Sequence, residues 1–219
     1  MGVAELHKDT LQLTIHSIFY FYGDAASEKL STEIAEDIST HWNEPRAFIS
    51  LHRKSYQVIF RIEGYYSPTI EPETIWYNTD PHNNYFRIEE FSRMHISFVD
   101  GLSCNTGYFK LDNLFNNSTT AAHEYGHTLG LEHPEVLDIR GFGQPGIMYP
   151  RGTICDPAFQ YDPAALPLAA GGTLNPYTRK VLQSDIDGLN LQKLFFNRKG
   201  IAKIGDFSSI YHEKHVPAS

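Results

Sequence analysis

The spacing of apolar residues changes character along this chain, and each change marks an element. Residues 11–23, LQLTIHSIFYFYG, alternate in the manner of a strand, with Leu11, Leu13, Ile15 and Ile18 among the apolar positions. In SEKLSTEIAEDISTHWNEP, Leu30, Ile34, Ile38 and Trp42 recur every fourth residue, which lines one face of an amphipathic helix that Asn43 to Pro45 should end. Alternation returns with Tyr56, Val58, Phe60 and Ile62, and Phe48 and Ile49 belong to a preceding strand or to the other half of a hairpin. HISFVDG (95–101) and TGYFKL (106–111) read as two short strands. The stretch between, 67–91, mixes turn signals with aromatics and fits no single period. A second helix is expected in NNSTTAAHEYGHTLG, with Asn117, Ser118 or Thr119 accepting its first free N–H groups and Gly130 stopping it. A late helix is expected from Asn175 as N-cap and Pro176 just inside, with Leu182, Ile186 and Leu189 on one face. The layout is α+β with two main helices.

Length and charge narrow the function. The 219 residues support one domain, 41% of them apolar, and no stretch approaches the ~20 continuous apolar residues a membrane span needs. A net charge of −8 repels phosphate backbones, so nucleic acid is excluded as an expected partner; the basic run NRKGIAK (197–203) reads as a solvated segment. The opening MGVAELHKDT carries no secretory signal pattern. Cys104 and Cys155 form one disulfide or stay two thiols; pattern alone does not choose.

The chemistry concentrates in HEYGHTLGLEH, residues 123–133. Residues four apart share a helix face, so His123 and His127 project side by side and suit two corners of a tetrahedral zinc site. Glu124, one position along, sits beside such a metal and is placed to take a proton from its water. Gly130 lets the chain turn back and brings His133 round as third ligand, leaving a fourth position open, as a catalytic site requires. An ordinary helix surface accounts for His-Glu-x-x-His alone, but not for the added glycine and third histidine at fixed spacing.

His123-Glu124-x-x-His127-x-x-Gly130-x-x-His133 resembles the signature of the metzincin zinc metalloproteases. GIMYP (146–150) resembles their Met-turn, which makes Met148 the residue expected under the metal. The MYP sequence and the late DIDGLNLQKLF are similar to matrixins, whereas Pro134 after the third histidine is similar to serralysins. The tyrosine that serralysins and astacins place two positions after the methionine is replaced by Pro150, and neither calcium repeats nor a prodomain cysteine switch occurs. The resemblance is therefore to a divergent metzincin.

It implies a single catalytic domain over 1–219: a mixed twisted sheet with the active-site helix in an N-terminal lobe (1–130), and a smaller C-terminal lobe (131–219) holding the third ligand, Met-turn and late helix. It also implies a zinc-dependent endopeptidase that is monomeric, secreted or exported, uses one catalytic zinc and acts on peptide or protein substrates, with Glu124 as general base. Structural calcium is compatible with it, but no motif here indicates calcium. TGYFKL, with Tyr108, is the expected edge strand for an extended substrate, and Tyr149 and the residues after it the expected substrate wall. The segment 151–178 is long enough for a lid or an unstructured loop. The rival readings are a zinc-containing module that binds peptides without turnover, which has no need of Glu124, and the same protease chemistry used as an exported effector or toxin. Elsewhere Cys104 reads as a buried thiol, Asp80 and His82 as a polar turn, His212 and His215 as tail residues without a native role, and the sequons at Asn116 and Asn117 as accidental.

Overall fold

Residues 1–115, 118–166 and 170–216 are described by a computed structural model. Expectations for Asn116 and Asn117, as sequons or helix cap, lie outside the described residues. The alternating run becomes the central strand β2 (Gln12–Tyr22), in which Leu13, Ile15, Ser17, Phe19 and Phe21 are buried and the intervening residues mostly half-buried. It is parallel to β4 (Lys54–Tyr66) and β5 (Asn83–Glu89), and β5 is parallel to β7 (Thr106–Lys110). Antiparallel strands finish the order: β3 (Phe48–Leu51) beside β4, and β6 (Phe98–Val99) beside β7. β1 (Gly2–His7) pairs with both β2 and β8 (Ile201–Ile204). The fold is α+β, a curled mixed sheet with helices, as the periodicities indicate.

The parallel connections place helix α1 (Glu28–Asn43) across one face of the sheet. Ser27 caps it, its Oγ accepting from Leu30 N at 3.2 Å, and the fourfold stripe turns Ile34, Ile38 and Trp42 into the core. Trp42 joins this helix to the next, α3 (Thr120–Thr128): its indole N–H donates to Ala122 O at 3.0 Å, and its ring centroid lies 5.0 Å from Phe60 and 5.4 Å from Tyr125. Tyr125 in turn meets Ser17 of β2 through a buried hydroxyl pair at 2.8 Å. Helix α3 is thus fixed from the sheet and from α1, and all its residues but His127 are buried.

Several expectations need correction. The late helix does not start at Asn175. Asn175 Oδ1 does accept from Tyr177 N, but only a single 3₁₀ turn follows, and helix α4 is Gln183–Gly188. The chain between is extended because Lys180 bridges to Gly146, its N–H donating to Pro145 O at 3.0 Å. HISFVDG yields only the two residues of β6. The stretch without a period contains a short helix α2 (Pro72–Trp76) and β5, which lies inside a parallel sheet and is buried on both faces, so it cannot alternate. The basic run at 197–203 runs into β8, where Ala202 is buried. Cys104 and Cys155 are both free, Cys104 only half-buried. Within 151–178, Cys155 and Leu174 are wholly buried beside Ile139, while most of the described residues from 151 to 166 are exposed; residues 167–169 lie outside the described residues. Among the described residues no helix is long and apolar enough to cross a membrane.

Trp42→Ala removes the ring that joins both helices and should lower unfolding free energy by about 3–5 kcal/mol, read from the urea midpoint at constant m-value. A loss below about 1 kcal/mol would show that α3 is held by other contacts.

Candidate metal centre

Helix α3 ends at Thr128, and Gly130 takes φ +97°, a conformation glycine reaches without the steric cost other residues bear. The reversal carries His133 back over the helix. His133 Nε2 then lies 3.0 Å from His123 Nε2 and 3.1 Å from His127 Nε2. The other ring nitrogens of the two helical histidines face carbonyls: His123 Nδ1 is 2.7 Å from Ile147 O, and His127 Nδ1 is 2.7 Å from Leu131 O. A carbonyl only accepts, so each Nδ1 carries the proton and each Nε2 presents a lone pair. These three histidines form a group able to hold a metal ion. The donor set suits zinc, which takes neutral imidazole nitrogens whose other nitrogen is held by a backbone carbonyl.

Burial and the Arg179 charge hold His123 well below an imidazole's ordinary pKa of 6.5, and burial lowers His127 and His133 as well. Neutral rings are the form a metal needs. Exposure rises from buried His123 through His127 to exposed His133, so the group opens to solvent on the His133 side.

Glu124 is 7% exposed and borders the same cleft of about 340 Å³. Burial pushes its carboxyl up to about 8, against the pull of Arg179 and a hydrogen bond from the Val99 backbone. Val99 belongs to β6, so the end of the edge strand also steadies this carboxylate. Ile96, Ser97, Phe98 and Val99 form one wall of the cleft, and Pro150 and Arg151 lie on another.

Met148 is buried and packs against Gly126 of α3. A Cβ on Gly126 would fall 2.3 Å from Met148 Sδ, so the bare glycine is what lets the methionine-bearing turn approach the helix. Asp185 of α4 supports that turn from behind, its Oδ2 accepting from Leu182 N at 2.7 Å and from Ile147 N at 3.5 Å. It therefore steadies the segment whose carbonyl orients His123.

Arg179 carries no motif and is absent from the residues singled out by sequence. The extended chain before α4 buries it in the cleft, where Nη1 donates to Tyr149 O at 2.9 Å and Nε to Thr119 Oγ1 at 2.9 Å. Its Nη1 also lies 3.0 Å from His123 Nδ1; with the proton of that nitrogen committed to Ile147 O, this is a close approach of two donors rather than a hydrogen bond. Burial pushes the guanidinium down to about 10, Glu124 opposing.

The structure brings His123, Glu124, His127 and His133 to one cleft, and packs Met148 against Gly126 of the same helix. It does not bring Tyr108 to the cleft. β7 is an interior strand, and Tyr108 points to the far face, wholly buried, with its hydroxyl donating to Phe91 O at 2.8 Å and its ring stacked on His215 at 4.1 Å. The edge strand at the cleft is β6. Tyr149 turns its ring toward Ile139, Cys155 and Leu174, and contributes its carbonyl, through Arg179, on the cleft side. Cys104 is not among the residues that border the cleft. No protein-family model matches the chain, and no curated protein matches it by sequence.

His127→Ala should cost one equivalent of tightly held zinc relative to the unaltered chain, measured by metal analysis after dialysis against a weak chelator; unchanged zinc content would remove the triad from consideration. Asp185 supplies a pH test. Burial raises its carboxyl from 3.8 to about 6, so the folded state favours the protonated form. Its contribution to stability is full below its unfolded value and is lost as pH rises through about 6. Asp185→Asn keeps an acceptor and removes the charge, so the variant's stability relative to wild type should rise between about pH 4 and pH 8, by up to about 3 kcal/mol. A flat difference across that range would mean Asp185 is not perturbed.

Proposed function

We propose that this chain is a zinc-dependent endopeptidase of the metzincin type, divergent from the matrixins and serralysins it partly resembles. One observation carries the reading: His133 Nε2 lies within 3.1 Å of both His123 Nε2 and His127 Nε2, beside a buried glutamate in a cleft walled by an edge strand. The spacing that includes Gly130 and the packing of Met148 against Gly126 support the same class. His123, His127 and His133 would hold the ion. Zinc bound by three neutral imidazoles supplies Lewis acidity, which acidifies a water and polarises a carbonyl.

The chain's own residues do the remaining work. Glu124, held by Val99 and shielded from bulk water, takes the proton of the attacking water and hands it to the leaving amine. Its raised pKa suits a group that must carry a proton near neutrality. Arg179 adds a fixed positive charge to the cleft, where negative charge grows on the substrate oxygen as the carbonyl is attacked. Among the described residues β6 has a strand partner on one side only, so an extended peptide can pair with its other edge through main-chain hydrogen bonds. Ile96 and Arg151 would then meet substrate side chains.

Glu124→Gln should retain zinc and lose about 10²–10⁴-fold in kcat/KM on a mixed peptide library, with cleavage read by mass spectrometry. If the unaltered, zinc-loaded chain cuts no peptide at all, the site binds without turnover and the peptidase reading falls.

A further inference from the structure

The face of the sheet away from α1 and α3 carries a second group of metal-ligating side chains that the peptidase reading does not use. We propose that Glu5, His16 and His82 form a second divalent-metal site, of the zinc type, which clamps the N-terminal strand to the sheet.

Three separate segments build it. His16 lies on the half-buried side of β2, alternating with buried Ile15 and Ser17. Glu5 pairs with Thr14 and Val3 with His16, so Glu5 is the diagonal neighbour of His16 on the same face. His82 immediately precedes β5, and its carbonyl accepts from Ile18 N at 2.8 Å, which holds it alongside β2. One ligand atom of each residue lies within 4.8 Å of the other two, and the imidazole rings are 4.9 Å apart, edge to face. A zinc ion bonded at about 2.0–2.2 Å needs its ligands about 3.5 Å apart, a closure within the reach of side-chain rotation.

Both imidazoles are already oriented as ligands are. Asp80 Oδ1 takes the Nδ1 side of His82 at 2.6 Å, and Glu63 Oε1 lies 3.0 Å from His16 Nε2. A carboxylate on one nitrogen leaves the other with its lone pair outward, the arrangement that supports bound metal elsewhere. Glu63 is engaged further, by Arg61 at 2.6 Å and the Tyr65 hydroxyl at 2.7 Å, whereas the one ion-pair neighbour of Glu5 among the described residues is His7, at 3.6 Å. Glu5 is therefore free to ligate. Three carboxylates stand against one guanidinium, so the pocket favours a dication. Two nitrogens and one carboxylate match zinc better than calcium or magnesium, which take oxygen ligands.

The test is metal content of the full chain, stripped with chelator and titrated with Co²⁺ or Zn²⁺. Two equivalents are expected for the unaltered protein, one for the His16→Gln/His82→Gln pair and one for the His123→Ala/His127→Ala pair, with circular dichroism confirming the fold of each. Asp80→Asn, an exposed change that spares all three ligands, should weaken only the equivalent outside the triad, by about 10–100-fold. It should also lower the part of the metal-induced rise in Tm that survives in the His123→Ala/His127→Ala protein. Retention of both equivalents in the His16/His82 and Asp80 variants, or a single equivalent in wild type that only the His123/His127 pair removes, would overturn the second site. Loss of the triad equivalent alone bears on the peptidase reading and leaves this one standing.

Discussion

The Nε2 lone pairs of His123 and His127 both point at His133 Nε2, 3.0 and 3.1 Å away, and the chain commits two backbone carbonyls to keeping them so directed. Ile147 O and Leu131 O fix the protons of His123 and His127 on the far side of each ring. Leu131 occupies its place because Gly130 reverses the chain, and Ile147 because the methionine-bearing turn is pressed against Gly126 and held by Asp185. Much of the local architecture from Thr119 to Asp185 serves the aim of those two carbonyls. The groups that hold the site's shape are thus largely main chain, which side-chain substitution alters less readily than it alters a ligand.

Electrostatics around the site follow from the same burial. Helix α3 is held between the sheet and α1, which buries Glu124, and the chain before α4 buries Arg179; the two answer with opposite shifts while lining one cleft. The acid is pushed toward carrying a proton and the base toward releasing one. Their separate anchors, Val99 for Glu124 and Tyr149 with Thr119 for Arg179, prevent collapse into an ion pair that would fill the cleft.

How much of this the sequence discloses depends on the kind of contact. The fourfold stripe of α1 and the alternation of β2 and β4 are local patterns with a single period, and they are read correctly. The histidine spacing is equally local, so the triad is legible in full. β5 is not, because a strand buried on both faces has no period to show. β1 forms by pairing with β2 and β8, and β8 by pairing with β1, and neither segment alone carries a strand signal strong enough to place it. The late helix fails differently: Asn175 and Pro176 do begin a turn, but the pairing of Lys180 with Gly146 overrides the local preference. Arg179 enters the cleft by that same pairing, and a lone arginine in sequence announces nothing. Tyr108 was expected at the cleft because its strand precedes the helix; chain order does not reveal that β6 would cap the sheet edge.

The pairing of β1 with β8 sets Val3 opposite Lys203, contacts separated by most of the chain. A sheet stitched by neighbours so remote in sequence closes a very large loop, and topologies of that kind fold slowly. During synthesis the first strand emerges long before its partner, while the histidines, Arg179 and α4 follow in between. The sheet therefore reaches its full complement of strands only after Ile204 has left the ribosome, so the assembled histidine group and the last strand pairing become available late and close together in time.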